Sequence, residues 1–316
     1  MQDYQSVRIV FMGTPPFAVA SLDALRQAGC NIVGVITAPD KPAGRGMQPQ
    51  PSAVKEYAIA HGIPLLQPIK LKDPSFLEAL DQWKADLQVV VAFRMLPELV
   101  WHRPSLGTIN LHGSLLPDYR GAAPINWAII DGNTETGVTT FLLQHEIDTG
   151  GVLLRKTIPI GPDETAGELH DKMKEIGASL LVETVKSWVA KKIVTVPQSD
   201  LNKDDRPLRH APKLSKETGQ INWLESAASI HNLVRGLSPV PCAYTTLNGK
   251  LLKIIQTRPH TENRSLRPGQ VDTDGKSYLY FGCGEGSIEI LSLQIEGKKR
   301  MEVSAFLKGY RFEGGQ

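Results

Sequence analysis

The chain of 316 residues contains only three cysteines, Cys30, Cys242 and Cys283, and they are widely scattered. Their odd number gives no complete disulfide framework, and their spacing does not suggest zinc, so we expect reduced thiols and no metal. No apolar run is long enough to span a bilayer, and the first residues lack the basic start and apolar core of a signal peptide. These absences predict a cytoplasmic protein that is not held in a membrane.

Two phosphate-binding signatures are also missing. After the first apolar segment the chain reads Gly13-Thr-Pro-Pro-Phe17, which lacks the three-glycine pattern of dinucleotide sites, and no complete P-loop motif occurs. Pro15 and Pro16 instead suit the start of a helix, where a missing N–H costs little. We therefore expect neither a nicotinamide cofactor nor ATP, which argues against a dinucleotide-dependent oxidoreductase.

Charge is distributed unevenly along the chain. Residues 1–205 contain 19 Lys and Arg against 23 Asp and Glu, whereas residues 206–316 contain 16 against 10. A basic surface attracts phosphate backbones without reading their sequence, although an excess of this size also occurs on solvated surfaces with no partner. With the polar, proline-interrupted stretch at 199–212 as a linker, the length predicts two domains, 1–205 and 206–316.

The first domain alternates strand-like and helical segments, which is typical of a Rossmann-like α/β fold with a parallel sheet covered on both faces. We predict strands at 7–12, 31–37, 63–67, 87–93, 107–112, 138–143 and 152–160. We predict helices at 16–28, 52–61, 74–84, 124–131 and 164–192. Asp163 is a candidate N-cap for the last of these helices.

The second domain reads differently, as one helix followed by short strands. The helix is predicted at 226–236, and the strands at 243–247, 251–256, 269–271, 278–281 and 287–293. Glycine-containing turns separate these strands, and such a series in about a hundred residues is typical of a small barrel. The sequence therefore predicts a small, mostly β, basic domain.

The most informative segment is 110–121, Asn-Leu-His-Gly-Ser-Leu-Leu-Pro-Asp-Tyr-Arg-Gly, at the end of a predicted strand. Because side chains alternate along a strand, Asn110 and His112 should point the same way while Leu111 packs opposite. An amide donor beside an imidazole suits a reaction in which an oxyanion forms and a proton moves. The alternative is a strand that ends in two polar residues without a chemical role.

A carboxylate follows the next apolar strand, in the stretch Ile147-Asp148-Thr149-Gly150-Gly151. An Asp that faces an imidazole holds its tautomer and stabilises its charged form. A local turn in which Asp148 only bonds backbone amides is the alternative. In parallel sheets ligands lie beyond the carboxyl ends of the strands, where all three candidates, Asn110, His112 and Asp148, are predicted to fall.

Together these segments resemble the folate-dependent formyltransferases, along essentially the whole chain. The resembling stretches are residues 10–15, 41–46, 110–124, 147–150, 235–241 and 309–310. The pattern Asn-x-His-x-Ser-Leu-Leu-Pro marks the family as a whole. The stretch at 41–46 and the C-terminal part resemble the members that act on methionyl-tRNA, in which an oligonucleotide-binding (OB) type barrel occupies the C-terminal position.

The resemblance implies a catalytic set and a formyl donor. Asn110, His112 and Asp148 match the catalytic positions of the family one by one. The implied donor is 10-formyltetrahydrofolate, with the turn Ser114, Leu115, Leu116 and Pro117 in contact with the folate. The run Phe93, Arg94, Met95 and Leu96 is a further candidate wall for the pterin, since planar rings favour apolar surface, although it reads equally well as ordinary core.

The stretch 38–51 is the feature that the resemblance links to the choice of substrate. Rich in Pro and Gly, it is expected to form neither helix nor strand, and long loops of this kind are usually functional or mobile. Lys41 and Arg45 give it positive charge. The resemblance implies that it reaches the acceptor end of initiator tRNA, although Met47 and Gln48 stand where more basic residues often follow.

The expected activity is formyl transfer to the α-amino group of methionyl initiator tRNA, with tRNA and folate as partners and no obligate protein partner evident. One alternative is a folate-dependent formyltransferase that acts on a small amine, such as an amino sugar nucleotide or a ribonucleotide amine. Such an enzyme would share the catalytic set but would need neither the loop at 41–46 nor a basic barrel. A second alternative is a tRNA- or folate-binding protein without turnover, which the intact catalytic set disfavours.

Overall fold

The computed structural model describes residues 3–43, 48–202, 206–261 and 264–310. In chain order its strands are β1 (Arg8–Gly13), β2 (Asn31–Ile36), β3 (Lys41–Ala43), β4 (Gln48–Gln50), β5 (Leu65–Leu66), β6 (Leu87–Val91), β7 (Thr108–His112), β8 (Arg120–Gly121), β9 (Glu135–Leu142), β10 (Val152–Pro159), β11 (His210–Ala211), β12 (Ala243–Leu247), β13 (Lys250–His260), β14 (Val271–Thr273), β15 (Leu279–Gly282), β16 (Ser287–Ile295) and β17 (Met301–Glu302). Its α-helices are α1 (Pro16–Gln27), α2 (Ala53–Ala60), α3 (Pro74–Gln82), α4 (Glu98–Trp101), α5 (Pro124–Ile130), α6 (Ala166–Val189), α7 (Ala227–Gly236) and α8 (Val303–Gly309).

The predicted helices are confirmed to within three residues at each end. Local chemistry explains where three of them begin: Ser52, Asp73 and Ser226 precede α2, α3 and α7, and each side chain accepts a hydrogen bond from a backbone N–H of the first turn. These caps satisfy donors that the helix itself leaves unpaired. A proline at the first position of α1 removes one such donor altogether.

The main sheet has the strand order β10-β9-β7-β6-β1-β2-β5. From β7 to β5 all neighbouring strands are parallel. Strand β6 is buried along its whole length, and β1 is buried from its second residue onward, as expected for strands covered on both faces. The predicted parallel α/β fold is confirmed, with one addition: β9 pairs with β7 in the antiparallel direction.

A second sheet, antiparallel throughout, has the order β12-β13-β16-β15-β14, with β17 also paired to β16. Its apolar face packs with α7 and α8 around a core that includes Val234, Leu252, Ile290 and Phe306. The register of β13 shifts on either side of Gln256, and such bulges bend a strand. The predicted small β domain is confirmed, as a curled half-barrel.

Two local predictions were wrong. The stretch 38–51 is not free of strand, because β3 pairs with β4 and Pro42 lies opposite Pro49. A pair of prolines can occupy a position of an antiparallel ladder that exchanges no hydrogen bonds, so proline content alone does not exclude a short hairpin.

The second error concerns the start of α6. Asp163 does not cap this helix; Thr165 does, because its Oγ1 accepts from the N–H of Glu168 at 3.3 Å. The Glu168 carboxylate reaches back to the N–H of Thr165 at 2.9 Å. The sequence Thr-x-x-Glu is a capping box, in which the two residues satisfy each other's backbone donors.

The chain forms two compact units. The first comprises residues 1–121, 137–158 and 170–210, and the second comprises residues 122–136, 159–169 and 211–316. The stretch predicted as a linker contains part of a 3₁₀ helix, Gln198–Leu201, and strand β11, which pairs with β8. The predicted domain boundary between residues 205 and 206 stays a prediction.

Two kinds of feature are absent from the described part of the chain. No helix there combines the length and the apolar character needed to cross a membrane. In the same residues, no group of three or more His, Cys, Asp or Glu side chains could hold a metal ion.

The capping box gives a test of the helix start. We expect Thr165→Ala to lower the free energy of unfolding by about 1 kcal/mol, because the N–H of Glu168 loses its acceptor. Thr165→Ser keeps the hydroxyl and is the matched control, with a smaller loss. Urea unfolding followed by circular dichroism compares the two, and equal midpoints for both variants would contradict the assignment.

Candidate active site

Strand β7 places Asn110 and His112 on one face of the main sheet. In the register of the sheet, Asn110 lies opposite Phe141 of β9, and the His112 and Phe141 rings meet edge to face with centroids 6.5 Å apart. Leu111 packs on the other face against α6, where a Cβ added to Gly177 would lie 3.0 Å from its side chain. The two polar side chains therefore share a face, as the strand pattern predicts.

The imidazole of His112 is buried, with 7% of the residue exposed. Its Nε2 lies 2.8 Å from the carbonyl oxygen of Tyr119. A carbonyl oxygen can only accept a hydrogen bond, so Nε2 carries the hydrogen and Nδ1 of the neutral ring holds the lone pair. The proton that this ring gains or loses is therefore the one on Nδ1.

Asp148 faces that same nitrogen. Its Oδ2 lies 3.9 Å from His112 Nδ1, and 13% of the Asp148 side chain is exposed. This distance is too long for a direct hydrogen bond, but it is short enough for the carboxylate to stabilise a proton on the imidazole through charge. Oδ2 also accepts a hydrogen bond from the N–H of Gly121 at 3.0 Å, which fixes the direction of the carboxylate.

The turn that carries Asp148 has an unusual backbone. Asp148 has φ of 55°, in the left-handed region that residues with side chains rarely adopt. Gly150 lies so close to β9 that an added Cβ would be 1.7 Å from the carbonyl oxygen of Leu142. The side chain of Gln198 donates to the carbonyl oxygens of Asp148 and Gly150, at 2.8 and 2.9 Å. The direction of the carboxylate therefore depends on groups outside its own strand.

The turn Ser114–Pro117 directly follows His112 and is mostly closed to solvent. Ser114, Leu116 and Pro117 are buried, whereas Leu115 is half-buried. The hydroxyl of Ser114 donates to the carbonyl oxygen of Asp118 at 2.6 Å. Among these side chains Leu115 keeps the most exposed surface, and the folate contact of the turn stays a prediction.

Two further side chains form hydrogen bonds with the backbone of this turn. Thr139 Oγ1 donates to the carbonyl oxygen of Ser114 at 2.6 Å and accepts from the N–H of Leu116 at 3.1 Å. Arg155 Nη1 donates to the carbonyl oxygen of Leu116 at 3.0 Å. These bonds hold the backbone of the turn that directly follows His112 in one position.

The candidate pterin wall, Phe93–Leu96, lies between β6 and α4. Leu96 belongs to the core with 9% exposure, Phe93 is half-buried, and Met95 is 73% exposed. Arg94 donates to the carbonyl oxygen of Ile69 at 2.8 Å, and partial burial lowers the pKa of its guanidinium. Met95 and Phe93 are thus the members of this run that present apolar surface.

Of the two candidate tRNA residues, one lies within the described part of the chain. Lys41 lies on β3 and its side chain is exposed. Arg45 lies outside the described residues. The assignment of both residues to tRNA therefore stays a prediction.

Sequence reasoning missed the residues that hold the site together, above all Gln198 and Arg120. Arg120 falls inside the informative segment 110–121 and could have been noticed there. Gln198 stands beside the stretch predicted as a linker, and no local pattern distinguishes it from other polar residues. Its role follows from contacts between segments that are distant in the chain.

The arrangement is suited to acyl transfer. An amide donor stabilises a developing oxyanion, and a buried imidazole beside a carboxylate accepts or returns a proton. Asn110 and His112, at the carboxyl end of β7, and Asp148, in the turn after β9, have side chains of these kinds, and their catalytic role stays a prediction. The fold and the chemistry of these side chains fit a group-transfer site.

Known proteins share this architecture. The family model described as formyl transferase matches residues 7–185, and that described as formyl transferase, C-terminal domain, matches residues 213–311. A solved N-formyltransferase from Helicobacter canadensis, in complex with folinic acid and dTDP-3-aminofucose, has a TM-score of 0.67 at 19% identity and covers 90% of this chain and 98% of its own. At that identity the likeness concerns the fold alone.

Two relatives are much closer in sequence. A methionyl-tRNA formyltransferase of Bacteroides fragilis is 50% identical over 311 residues, which is 97% of this chain and 96% of the relative. A methionyl-tRNA formyltransferase of Parabacteroides distasonis is 51% identical over 313 residues, or 97% of each. The chain belongs to the formyl transferase family, in the group of methionyl-tRNA formyltransferases, as its motifs predict.

The tight contact at Gly150 gives a test of the turn. We expect Gly150→Ala to lower the free energy of unfolding by about 1–3 kcal/mol, because the methyl group would overlap the carbonyl oxygen of Leu142. Gly161→Ala is the matched control, since a Cβ there makes an ordinary contact at 3.4 Å. Urea unfolding measures both variants, and a Gly150→Ala protein as stable as this control would refute the geometry of the turn.

Proposed function

We propose that the protein transfers the formyl group of 10-formyltetrahydrofolate to the free α-amino group of methionyl initiator tRNA, for the start of translation in the cytoplasm. One observation carries the proposal: His112 and Asp148 face each other, beside Asn110, in a chain about 50% identical over its whole length to methionyl-tRNA formyltransferases. The chemistry of the three side chains fits each step of the reaction.

The first step is attack of the amine on the formyl carbon. A new C–N bond forms, and the carbonyl oxygen gains negative charge in a tetrahedral intermediate. The carboxamide of Asn110 has N–H groups to donate to that oxygen, and donors placed in advance where charge develops are a major source of rate acceleration. His112 is a second donor whenever its Nδ1 is protonated.

The second requirement is proton transfer. The α-amine must be neutral to attack, and it must lose a proton after the C–N bond has formed. The lone pair on His112 Nδ1 is the acceptor, because Nε2 is bound to the carbonyl oxygen of Tyr119. The Asp148 carboxylate, 3.9 Å away, favours the charged imidazolium that results.

The reaction ends when the bond between the formyl carbon and N10 of the folate breaks. The electron pair of that bond returns to N10, and the proton held on the imidazole is available to neutralise the leaving nitrogen. The products are the formylated amine and tetrahydrofolate, so atoms and charges balance without a metal or a redox cofactor in the scheme.

The donor requires an apolar wall and fixed polar groups. Phe93 and Met95 supply apolar surface on the loop after β6, and Leu115 supplies it on the turn after His112. The backbone of that turn is held by Thr139 and Arg155. We assign the folate to this edge of the sheet, with Ser114–Pro117 and Phe93–Leu96 on either side.

The tRNA requires positive charge. Lys41 and Arg45 supply it in the stretch 38–51, and residues 206–316 carry an excess of six positive charges, 16 against 10. Such charge binds phosphates regardless of sequence, and it is more than a small anionic folate needs. The initiator tRNA therefore accounts for a feature that the folate leaves unexplained.

A small amine is the second candidate acceptor. The Helicobacter canadensis protein of similar fold is named an N-formyltransferase and was solved with an amino sugar nucleotide. Its identity to this chain is 19%, against about 50% for the methionyl-tRNA formyltransferases. The basic C-terminal region also favours a polyanionic acceptor.

A substrate comparison tests the proposal. We expect purified protein with 10-formyltetrahydrofolate to add the mass of a formyl group to methionyl initiator tRNA, and much less to methionyl elongator tRNA or to dTDP-3-aminofucose. Mass spectrometry of the released amino acid or sugar provides the measurement. Formylation of the sugar nucleotide without formylation of either tRNA would replace the proposed acceptor with the second candidate.

Substitutions test the assigned roles. We expect Asn110→Ala to lower kcat by about 10²–10³-fold, through loss of an oxyanion donor, and His112→Ala to lower it by about 10²–10⁴-fold. Folate binding, measured by equilibrium dialysis, should be retained in both. His102→Ala, at an exposed histidine, is the control; a full rate in either site variant would remove that residue from the mechanism.

A further inference from the structure

Gln198 uses both ends of a buried side chain, with 5% of the residue exposed. Its Oε1 accepts from Nε and Nη2 of Arg120, at 3.0 and 2.6 Å. Its Nε2 donates to the carbonyl oxygens of Asp148 and Gly150, at 2.8 and 2.9 Å. Every hydrogen-bonding atom of the carboxamide therefore meets a group of the active-site region.

These bonds form a closed ring. Arg120 holds the Gln198 carboxamide, and the carboxamide holds the backbone on both sides of Thr149. The carboxylate of Asp148 accepts from the N–H of Gly121, the residue next to Arg120. The ring thus connects the end of the segment 110–121 to the turn after β9 through one side chain that belongs to neither.

The turn needs such support. Asp148 adopts φ of 55°, a left-handed conformation that is strained for a residue with a side chain and persists where the surrounding structure holds it. The carboxylate lies 3.9 Å from His112 Nδ1. A rotation of the turn that moves the carboxylate away would weaken its electrostatic interaction with the imidazole. A planar amide with two N–H donors suits two carbonyl oxygens, and its oxygen suits a guanidinium.

We propose that Gln198 is a positioning residue for Asp148, and that Arg120 fixes the orientation of the Gln198 carboxamide. The pair does not touch the reacting atoms. It holds the turn 148–150 so that the carboxylate stays directed at His112. The proposal rests on the proposed formyl transfer, in which the charge of Asp148 supports proton transfer by the imidazole.

The first test is a comparison of Gln198→Leu with Gln82→Leu. Leucine is a somewhat shorter apolar side chain and removes all four hydrogen bonds, and Gln82 is an exposed glutamine on α3. With methionyl initiator tRNA and 10-formyltetrahydrofolate, we expect kcat of Gln198→Leu to fall about 10–100-fold, while KM for each substrate changes less than about threefold. Gln82→Leu should keep the rate of the unaltered protein.

The second test asks whether Gln198 acts through Asp148. In a double-mutant cycle, adding Gln198→Leu to Asp148→Asn should lower kcat by less than about twofold, because the carboxylate to be positioned is already gone. A residue that serves only general stability would lower both backgrounds by the same factor. Equal factors in the two backgrounds would overturn the proposal.

A milder variant keeps the test decisive if Gln198→Leu does not fold. Arg120→Met removes the partner of Oε1 but leaves the amide donors in place, so we expect a loss of kcat smaller than that of Gln198→Leu and again absent in the Asp148→Asn background. Full kcat in Arg120→Met would remove Arg120 from the proposal, and full kcat in both variants would overturn it.

The identity of the acceptor is separated from the positioning role by the unaltered protein. If that protein formylates no tRNA but does formylate dTDP-3-aminofucose, the proposed function fails. The same cycle is then run with the sugar nucleotide, and a non-additive loss at Gln198 and Asp148 still supports positioning. Additive losses with a working acceptor of either kind reject it.

Discussion

The hydrogen bond from His112 Nε2 to the carbonyl oxygen of Tyr119 is the interaction on which the site depends. An unpaired polar group in a buried place costs about 1–3 kcal/mol, so this bond holds the ring and leaves Nδ1 as the nitrogen for chemistry. Tyr119 is itself held, because its N–H donates to the carbonyl oxygen of Arg209 at 2.8 Å and its hydroxyl accepts from the Arg209 guanidinium at 2.9 Å. The group that fixes the tautomer of this imidazole is thus itself held by Arg209, 90 residues downstream of Tyr119.

The same logic applies to the carboxylate. A parallel sheet delivers Asn110 and His112 by strand geometry alone, since residues two apart share a face. Asp148 follows its strand by six residues and reaches the imidazole only through a left-handed turn. The sheet therefore fixes the amide and the imidazole, whereas the position of the carboxylate depends on Gly150, the N–H of Gly121 and Gln198.

Much of the fold could be predicted from local patterns. Buried strands read as continuous apolar runs, and helices α2 and α7 begin directly after Ser52 and Ser226, which are capping residues that the sequence shows. The two errors arose where the local structure depends on a second residue that the pattern around the first does not show. Pro42 lies in a short strand opposite Pro49, a pairing that only the partner strand reveals. Thr165 rather than Asp163 caps α6, and the Glu168 carboxylate accepts from the N–H of Thr165 in return.

The sequence by itself determined the family, the parallel α/β sheet with its β domain, and the three side chains that suit formyl transfer, because each is written in residues close together in the chain. Only the tertiary structure decided which nitrogen of His112 is free, how far the Asp148 carboxylate stands from it, and that Gln198 holds the turn. These properties depend on hydrogen bonds between segments far apart in sequence, and no local pattern records such bonds.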